Sequence, residues 1–161
     1  MKRTMFIGQA MPRAKRDPHD WPSLNAWLLS IDISETEIRE YFFYSALVDY
    51  FPGSKNGSNL VPTGKEIEKE KSRLKRTIIK FNPEIVVSIG KLSLSYCLGR
   101  NIDKLDNFIG GKYYLDPYGA LGRKVCIIPL PHPSGASTWR HKPENKILLQ
   151  KALNLLRTNL F

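Results

Sequence analysis

Two short segments that are apolar at every position constrain the fold of this chain more than any other feature. Residues 85–87 read Ile-Val-Val and residues 125–128 read Val-Cys-Ile-Ile. A strand with one face in water alternates apolar and polar residues, whereas a central strand of a parallel sheet is buried on both faces. Helical patterns separate these segments, as in repeated strand–helix–strand units. The sequence therefore predicts a three-layer α/β/α fold around a central four-stranded, mostly parallel sheet.

The loops that follow the expected strands are the first places to look for a site. Strands are expected at residues 4–7, 41–48, 84–89 and 125–130. Open α/β sheets bind ligands beyond the carboxyl ends of their strands. This rule selects four loops, at residues 8–21, 49–62, 90–93 and 131–141. Within the second loop, residues 52–62 are rich in Gly, Ser, Asn and Pro and predict a mobile loop. Outside the four loops, residues 110–122 predict an irregular or hairpin segment.

Several residue pairs and single residues predict where helices begin and end. Ser34 with Glu37, and Thr63 with Glu66, have the spacing of a capping box. In that motif, side chain and backbone satisfy each other's hydrogen-bond donors at a helix start. Further helix boundaries are expected at Ser23, Gly90, Gly99 and Pro143.

Length, charge and cysteine content limit the classes of function. The 161 residues suit one domain, residues 1–161. The net charge of +10 indicates nucleic acid, anionic lipid or an acidic protein as a partner, with lipid the least favoured of the three. No apolar run reaches the length of a membrane span, and the first residues do not form a signal peptide. Cys97 and Cys126 lie in apolar segments and are expected to be buried and reduced. We expect a soluble, cytoplasmic, monomeric protein without a metal or other cofactor.

The stretch with the most chemical information is residues 131–139, Pro-His-Pro-Ser-Gly-Ala-Ser-Thr-Trp, directly after the last expected strand. Its two prolines restrict the backbone on either side of His132, so the imidazole is held in place. The glycine and small hydroxyl residues after it let backbone N–H groups approach an anion such as a phosphate. A lone histidine is more often structural. Another small-residue turn, Gly-Gln-Ala-Met-Pro at residues 8–12, follows the first strand, however, and the pair favours a functional site.

Together these two turns resemble the paired motifs of the uracil-DNA glycosylase superfamily. In that family a first-strand motif of the Gly-Gln-Asp-Pro or Gly-Glu-Ala-Pro-Gly kind faces a last-strand motif of the His-Pro-Ser-Pro-Leu-Ser kind. Residues 44–53 and 81–91 are also similar to the central passages of its compact bacterial and archaeal members. The resemblance implies a DNA glycosylase, which pulls a nucleotide out of the duplex and cleaves the bond between base and sugar.

The resemblance also implies a role for each residue of the two turns. His132, in its neutral form, would donate a hydrogen bond to O2 of the departing base, and Gln9 would hold the base or the attacking water. Trp21, or failing it Phe42 or Phe51, would stack on the extruded ring, although core packing better explains Phe42. The implied base pocket comprises Gly8, Ala10, Trp21 and Ser45. The implied contacts to single- or double-stranded DNA are Lys91, Ser134, Gly135, Ala136, Ser137, Trp139 and Arg140.

Three positions depart from the family pattern. Ala10 replaces the aspartate that orients water in the best-known enzymes, and Ser45 stands where an asparagine reads uracil. Ala136 replaces the leucine that wedges into the base stack, with Trp139 as the alternative wedge. The missing groups predict a roomier pocket and a bulkier or modified base as the target. The four-cysteine iron–sulfur cluster of some members is excluded, because this chain has 2 cysteines.

Two other functions compete with that of a monofunctional glycosylase. A catalytically weak or inactive DNA-binding protein on the same fold is favoured by Ala10 and Ser45 and opposed by His132. A nucleotide-binding protein is suggested by residues 57–65, which superficially resemble a phosphate loop. Their glycine spacing is wrong, however, and Glu66 stands where Ser or Thr would bind magnesium.

Overall fold

The computed structural model describes residues 1–14, 17–133 and 139–161, except for the side chains of His19 and Arg140. The helices and strands follow the chain in a mostly alternating order. They are β1 (Thr4–Ala10), α1 (Pro22–Ser30), α2 (Glu35–Tyr41), β2 (Phe42–Val48), β3 (Ser54–Lys55), β4 (Ser58–Asn59), α3 (Gly64–Phe81), β5 (Ile85–Ser88), α4 (Lys91–Leu98), β6 (Tyr113–Leu115), β7 (Val125–Ile127) and α5 (Pro143–Leu160).

The main sheet has five strands in the order β2-β1-β5-β7-β6. The first four are parallel, and β6 pairs antiparallel with β7. The predicted α/β fold with a mostly parallel sheet is therefore confirmed, with five strands in place of four. The extra strand lies in the segment expected to be irregular or a hairpin. Its three residues are too few for a periodic pattern to be recognised.

Apolar side chains cover both faces of the sheet. On one face, Phe6 and Tyr44 join a cluster with residues of α1, α2 and α5. On the other face, Met5 and Ile7 join a cluster with residues of α3 and α4. Successive residues of β1 thus enter different clusters, because side chains of a strand point alternately to opposite faces. This alternation decides which side chains reach the candidate site.

Local signals in the sequence place most helix ends correctly. Both capping boxes form, at Ser34 before α2 and at Thr63 before α3, and Gly99 ends α4 in the left-handed conformation. The boundary expected at Ser23 is wrong, because α1 begins one residue earlier, at Pro22. Proline is favourable there, since its missing N–H has no partner in the first turn of a helix.

The segment expected to be a mobile loop, residues 52–62, contains the two-stranded β3–β4 hairpin. Its turn residues Asn56 and Gly57 have φ of 53° and 79°. Two successive positive φ values are characteristic of the type I′ turn, for which Asn-Gly is the strongest short sequence signal. The hairpin is short and exposed, but its turn is defined.

Two further expectations concern the burial of the cysteines and the presence of membrane-spanning helices. Cys97 and Cys126 are both free and buried, as predicted. None of the helices in the described ranges is long and apolar enough to span a membrane.

Candidate active site

Four residues at or just beyond the ends of neighbouring strands line one cleft at the carboxyl edge of the sheet: Gln9, Leu47, Gly90 and Pro131. The β1–β2 pairing joins Gly8 to Ala46 and Ala10 to Val48, which places Gln9 beside Leu47. A parallel bridge beyond β5 and β7 pairs Ile89 with Leu130, and Gly90 and Pro131 are the residues that follow it. His132 follows Pro131 and lines the same cleft.

The cleft is large, with a volume of about 1710 Å³. It extends from the carboxyl edge into the space between α3 and α4, and Trp139 lies at its border. Gln9 on β1 and His132 after β7 are separated by β5, so they lie on the order of 10 Å apart across the edge. The structure thus brings the two motif residues into one cleft, although they are far apart in sequence.

His132 lies in a setting that keeps its imidazole neutral. Burial lowers the pKa of the side chain below its usual value, because a charged imidazolium loses hydration there. The ring of Trp21 lies edge-on to it, with 5.8 Å between the ring centroids. The prolines on both sides are buried, which fixes the local backbone. A neutral imidazole carries one N–H donor and one acceptor, so it suits a hydrogen bond to a developing anion.

The pocket expected around Gly8 and Trp21 is filled by another aromatic residue, Tyr44. The Tyr44 ring packs against Trp21 with centroids 5.3 Å apart. A Cβ built on Gly8 would collide with the Tyr44 hydroxyl. Trp21 is 6% exposed and Tyr44 3%, and neither belongs to the described lining of the cleft. Trp21 therefore contacts His132 from the sheet face opposite to Gln9, and Tyr44 fills the space beside Gly8.

Ser45 was expected in the base pocket, but its side chain contacts Arg73 of α3 instead. Its hydroxyl accepts a hydrogen bond from Arg73 at 3.2 Å, on the face covered by α3. Arg73 also donates to the carbonyls of Ala46 at 2.8 Å and Leu47 at 3.2 Å. These contacts cap the exposed edge of β2. The structure assigns Ser45 to that cap and places it outside the described lining of the cleft.

The remaining expected residues lie in several different places. Lys91, the first residue of α4, is exposed and lines the cleft, whereas Ala10 is half-buried against the α3–α4 core. Phe42 stacks on Phe6 in the core, with 5.6 Å between ring centroids, as expected. Phe51 lies under the guanidinium of Arg13 at 5.0 Å. Four residues lie outside the described ranges, as does the side chain of a fifth: Ser134, Gly135, Ala136, Ser137 and Arg140.

Trp139 is anchored in a way that does not suit a wedge. Its indole N–H donates to the carboxylate of Asp106. The side-chain amide of Asn145 donates to its carbonyl at 2.7 Å. The bond to Asp106 would break if the indole left this position to enter a base stack, and the bond from Asn145 holds the backbone of Trp139 in place. The hypothesis that Trp139 replaces the missing leucine is therefore disfavoured by its contacts.

A buried hydroxyl network beneath the edge was not identified from the sequence. Ser93 of α4 donates to the carbonyl of Ile7 at 2.6 Å, two residues before Gln9. The hydroxyl of Tyr118 lies 2.6 Å from the Ser93 oxygen and 3.1 Å from that of Ser88. Since Ser93 uses its only proton on Ile7, Tyr118 donates to Ser93. The network ties β1, β5 and α4 together directly below Gln9. No short motif carries this information.

Nothing within the described ranges forms a group of three or more His, Cys, Asp or Glu side chains able to hold a metal ion. A model of the uracil DNA glycosylase superfamily matches residues 2–157 of the 161-residue chain. No curated protein matches the chain at a significant level.

Proposed function

The chain belongs to the uracil-DNA glycosylase superfamily, and we propose that it hydrolyses the N-glycosidic bond of a flipped-out uracil or modified base in DNA. The observation that carries this proposal is that Gln9 and His132 line one cleft at the carboxyl edge of the parallel sheet. That edge is where open α/β sheets bind their ligands.

Cleavage requires a group that stabilises the departing base. When the bond breaks, its electron pair leaves with the base, and water then adds to the sugar carbon and loses a proton. The neutral imidazole of His132 donates its N–H to O2 of the base, where negative charge develops. A single donor of this kind contributes about 3 kcal/mol to lowering the barrier in other enzymes. Its lowered pKa favours the neutral form near pH 7.

Gln9 and Ala10 determine how water is handled. Gln9 is half-buried and lines the cleft, where its amide would hold the base or the water. Ala10 offers no carboxylate to activate water. The mechanism therefore depends on bond breaking that runs ahead of water attack, with stabilisation of the leaving base as its main contribution.

Release of free bases from DNA tests the proposal. Oligonucleotides that contain uracil or one of a panel of modified bases are incubated with the protein, and released bases are identified by mass spectrometry. We expect release of at least one base, and a loss of about 10²–10³ in rate for His132→Ala. The variant, purified identically, controls for contaminating glycosylases. Equal release by both proteins would contradict the proposal.

A second candidate function is DNA binding without catalysis. It is supported by the side chains of Trp21 and Tyr44, which fill the space beside Gly8, and by the absence of a carboxylate at Ala10. Tight, salt-sensitive binding to DNA with no release of any base in the panel would favour this candidate over the glycosylase.

A further inference from the structure

The cleft continues well beyond the two motif residues. From Gln9 and His132 it extends between α3 and α4, a region that we call the α3–α4 groove. We propose that this groove holds a single strand of DNA and leads it to the carboxyl edge. The proposal rests on the proposed function for the identity of the ligand, and it adds the path and the strandedness of the DNA.

The charge of the groove is the first support. Four cationic side chains line the cleft, against two acidic ones: Lys71, Lys75, Lys91 and Arg100 against Glu68 and Asp116. The carboxylate of Asp116 already accepts hydrogen bonds from the backbone of Leu121 at 2.7 Å and of Gly122 at 2.9 Å. Asp116 is therefore engaged in its own turn. The groove presents an excess of positive charge, which suits a chain of phosphates.

The arrangement of the lysines is the second support. Lys71 and Lys75 are one turn apart and lie on the same side of α3, and Lys91 begins α4 across the groove. Within the described ranges, no ion pair or hydrogen bond engages any of these three ammonium groups. Phosphate binding at these positions thus requires no existing contact to be broken.

The side chains of the groove favour one strand over two. The half-buried ring of Tyr96 lines the groove, and Gly57 of the β3–β4 turn lies at its border. Aromatic rings beside cationic side chains are the recurring components of single-strand sites.

Paired lysine variants test the groove. Fluorescence anisotropy measures binding of a fluorescein-labelled oligodeoxythymidylate, and of a duplex of equal length, over a range of salt concentrations. Lys71→Ala/Lys75→Ala removes two charges from the groove. Lys69→Ala/Lys80→Ala removes two charges from the same helix at positions that do not line the cleft. Thermal unfolding checks that both variants are folded.

We expect the groove variant to bind the single strand about tenfold more weakly in moderate salt, with a log–log salt slope lower by about 1.4 for two lost phosphate contacts. The control variant should stay close to the unmodified protein. Equal losses in both variants, or a preference for the duplex, would overturn the proposal. Base release is assayed separately. Groove-dependent binding without base release would support the groove proposal and contradict the glycosylase proposal. Base release with equal binding by the groove and control variants would support the glycosylase proposal and contradict the groove proposal.

Discussion

The indole ring of Trp21 lies edge-on to the imidazole of His132, with centroids 5.8 Å apart and ring planes at 73°. The same indole packs against Tyr44. The imidazole therefore faces a large apolar ring on one side and the cleft on the other. This asymmetry explains how His132 is partly withdrawn from water, which lowers its pKa, while it still lines a cleft open to a substrate.

The state of His132 predicts how activity depends on pH. Because the neutral form is the proposed donor and burial lowers the pKa, base release should stay level through the usual range of histidine titration and fall only at more acidic pH. A pH–rate profile measures this, together with NMR titration of His132, assigned among the 3 histidines with His132→Gln. Loss of activity centred at or above pH 6.5, the ordinary histidine value, would contradict it.

The same pKa predicts how stability depends on pH. Protonation favours the unfolded chain, because the folded-state pKa lies below the unfolded value. The stabilisation of the folded protein by the neutral imidazole of His132 is fully present above the unfolded-state pKa and is lost as the pH falls through the folded-state pKa. The free energy of unfolding, measured with urea, should therefore decline more steeply below about pH 6.5 in the unmodified protein than in His132→Gln. Parallel curves for the two proteins would show that His132 does not contribute.

The close approach of Gly8 to Tyr44 predicts a coupled pair of substitutions. Gly8→Ala should destabilise the fold by about 1–3 kcal/mol, because the new methyl group collides with the hydroxyl of a ring that cannot move freely. Tyr44→Phe removes the hydroxyl and should recover part of that loss. The ring carbon stays 3.2 Å from the new Cβ, so recovery is incomplete. A double-mutant cycle by urea unfolding measures the coupling; additive effects would count against this packing.

The cap on the β2 edge predicts a separation of stability from base recognition. Arg73→Ala should cost about 2–3 kcal/mol, because bonds to two carbonyls and the Ser45 hydroxyl are lost. Ser45→Ala loses one of these bonds and should cost about 1 kcal/mol. Neither change should alter which base is released. A change in the released base for Ser45→Ala, measured by the same mass-spectrometric assay, would show that Ser45 contributes to base recognition.

The hydroxyl network beneath Gln9 predicts a specific role for a buried tyrosine. Tyr118→Phe removes its bonds to Ser93 and Ser88 and should destabilise the fold by about 1–3 kcal/mol. Tyr114→Phe is the matched control, because that ring is 59% exposed and should change stability by less than about 0.5 kcal/mol. Urea unfolding of both variants decides the point, and equal effects would show that the network contributes nothing.

Much of the local structure followed from short sequence signals. The capping boxes at Ser34 and Thr63, and the left-handed stop at Gly99, form as predicted, because each involves groups within one helical turn. The β3–β4 hairpin was equally readable from Asn56-Gly57. The surrounding Gly, Ser and Pro residues, in contrast, predict a loop without regular structure.

The site was predictable in part. That the turn around Gln9 and the turn around His132 meet follows from parallel strands, whose carboxyl ends share an edge. The sequence does not show that Ser45 faces Arg73 while Tyr44 faces Trp21. A shift of one residue in strand register would exchange the two faces of β2.

The sequence by itself determined the α/β class, most helix ends and the pair of turns that reach the edge, because these depend on local hydrogen bonding and on burial of both sheet faces. Only the tertiary structure decided which side chains of each strand enter the cleft. That choice is made by the partners across each face, Arg73 for Ser45 and Trp21 for Tyr44. These partners lie 28 and 23 residues away along the chain, beyond the reach of any local pattern.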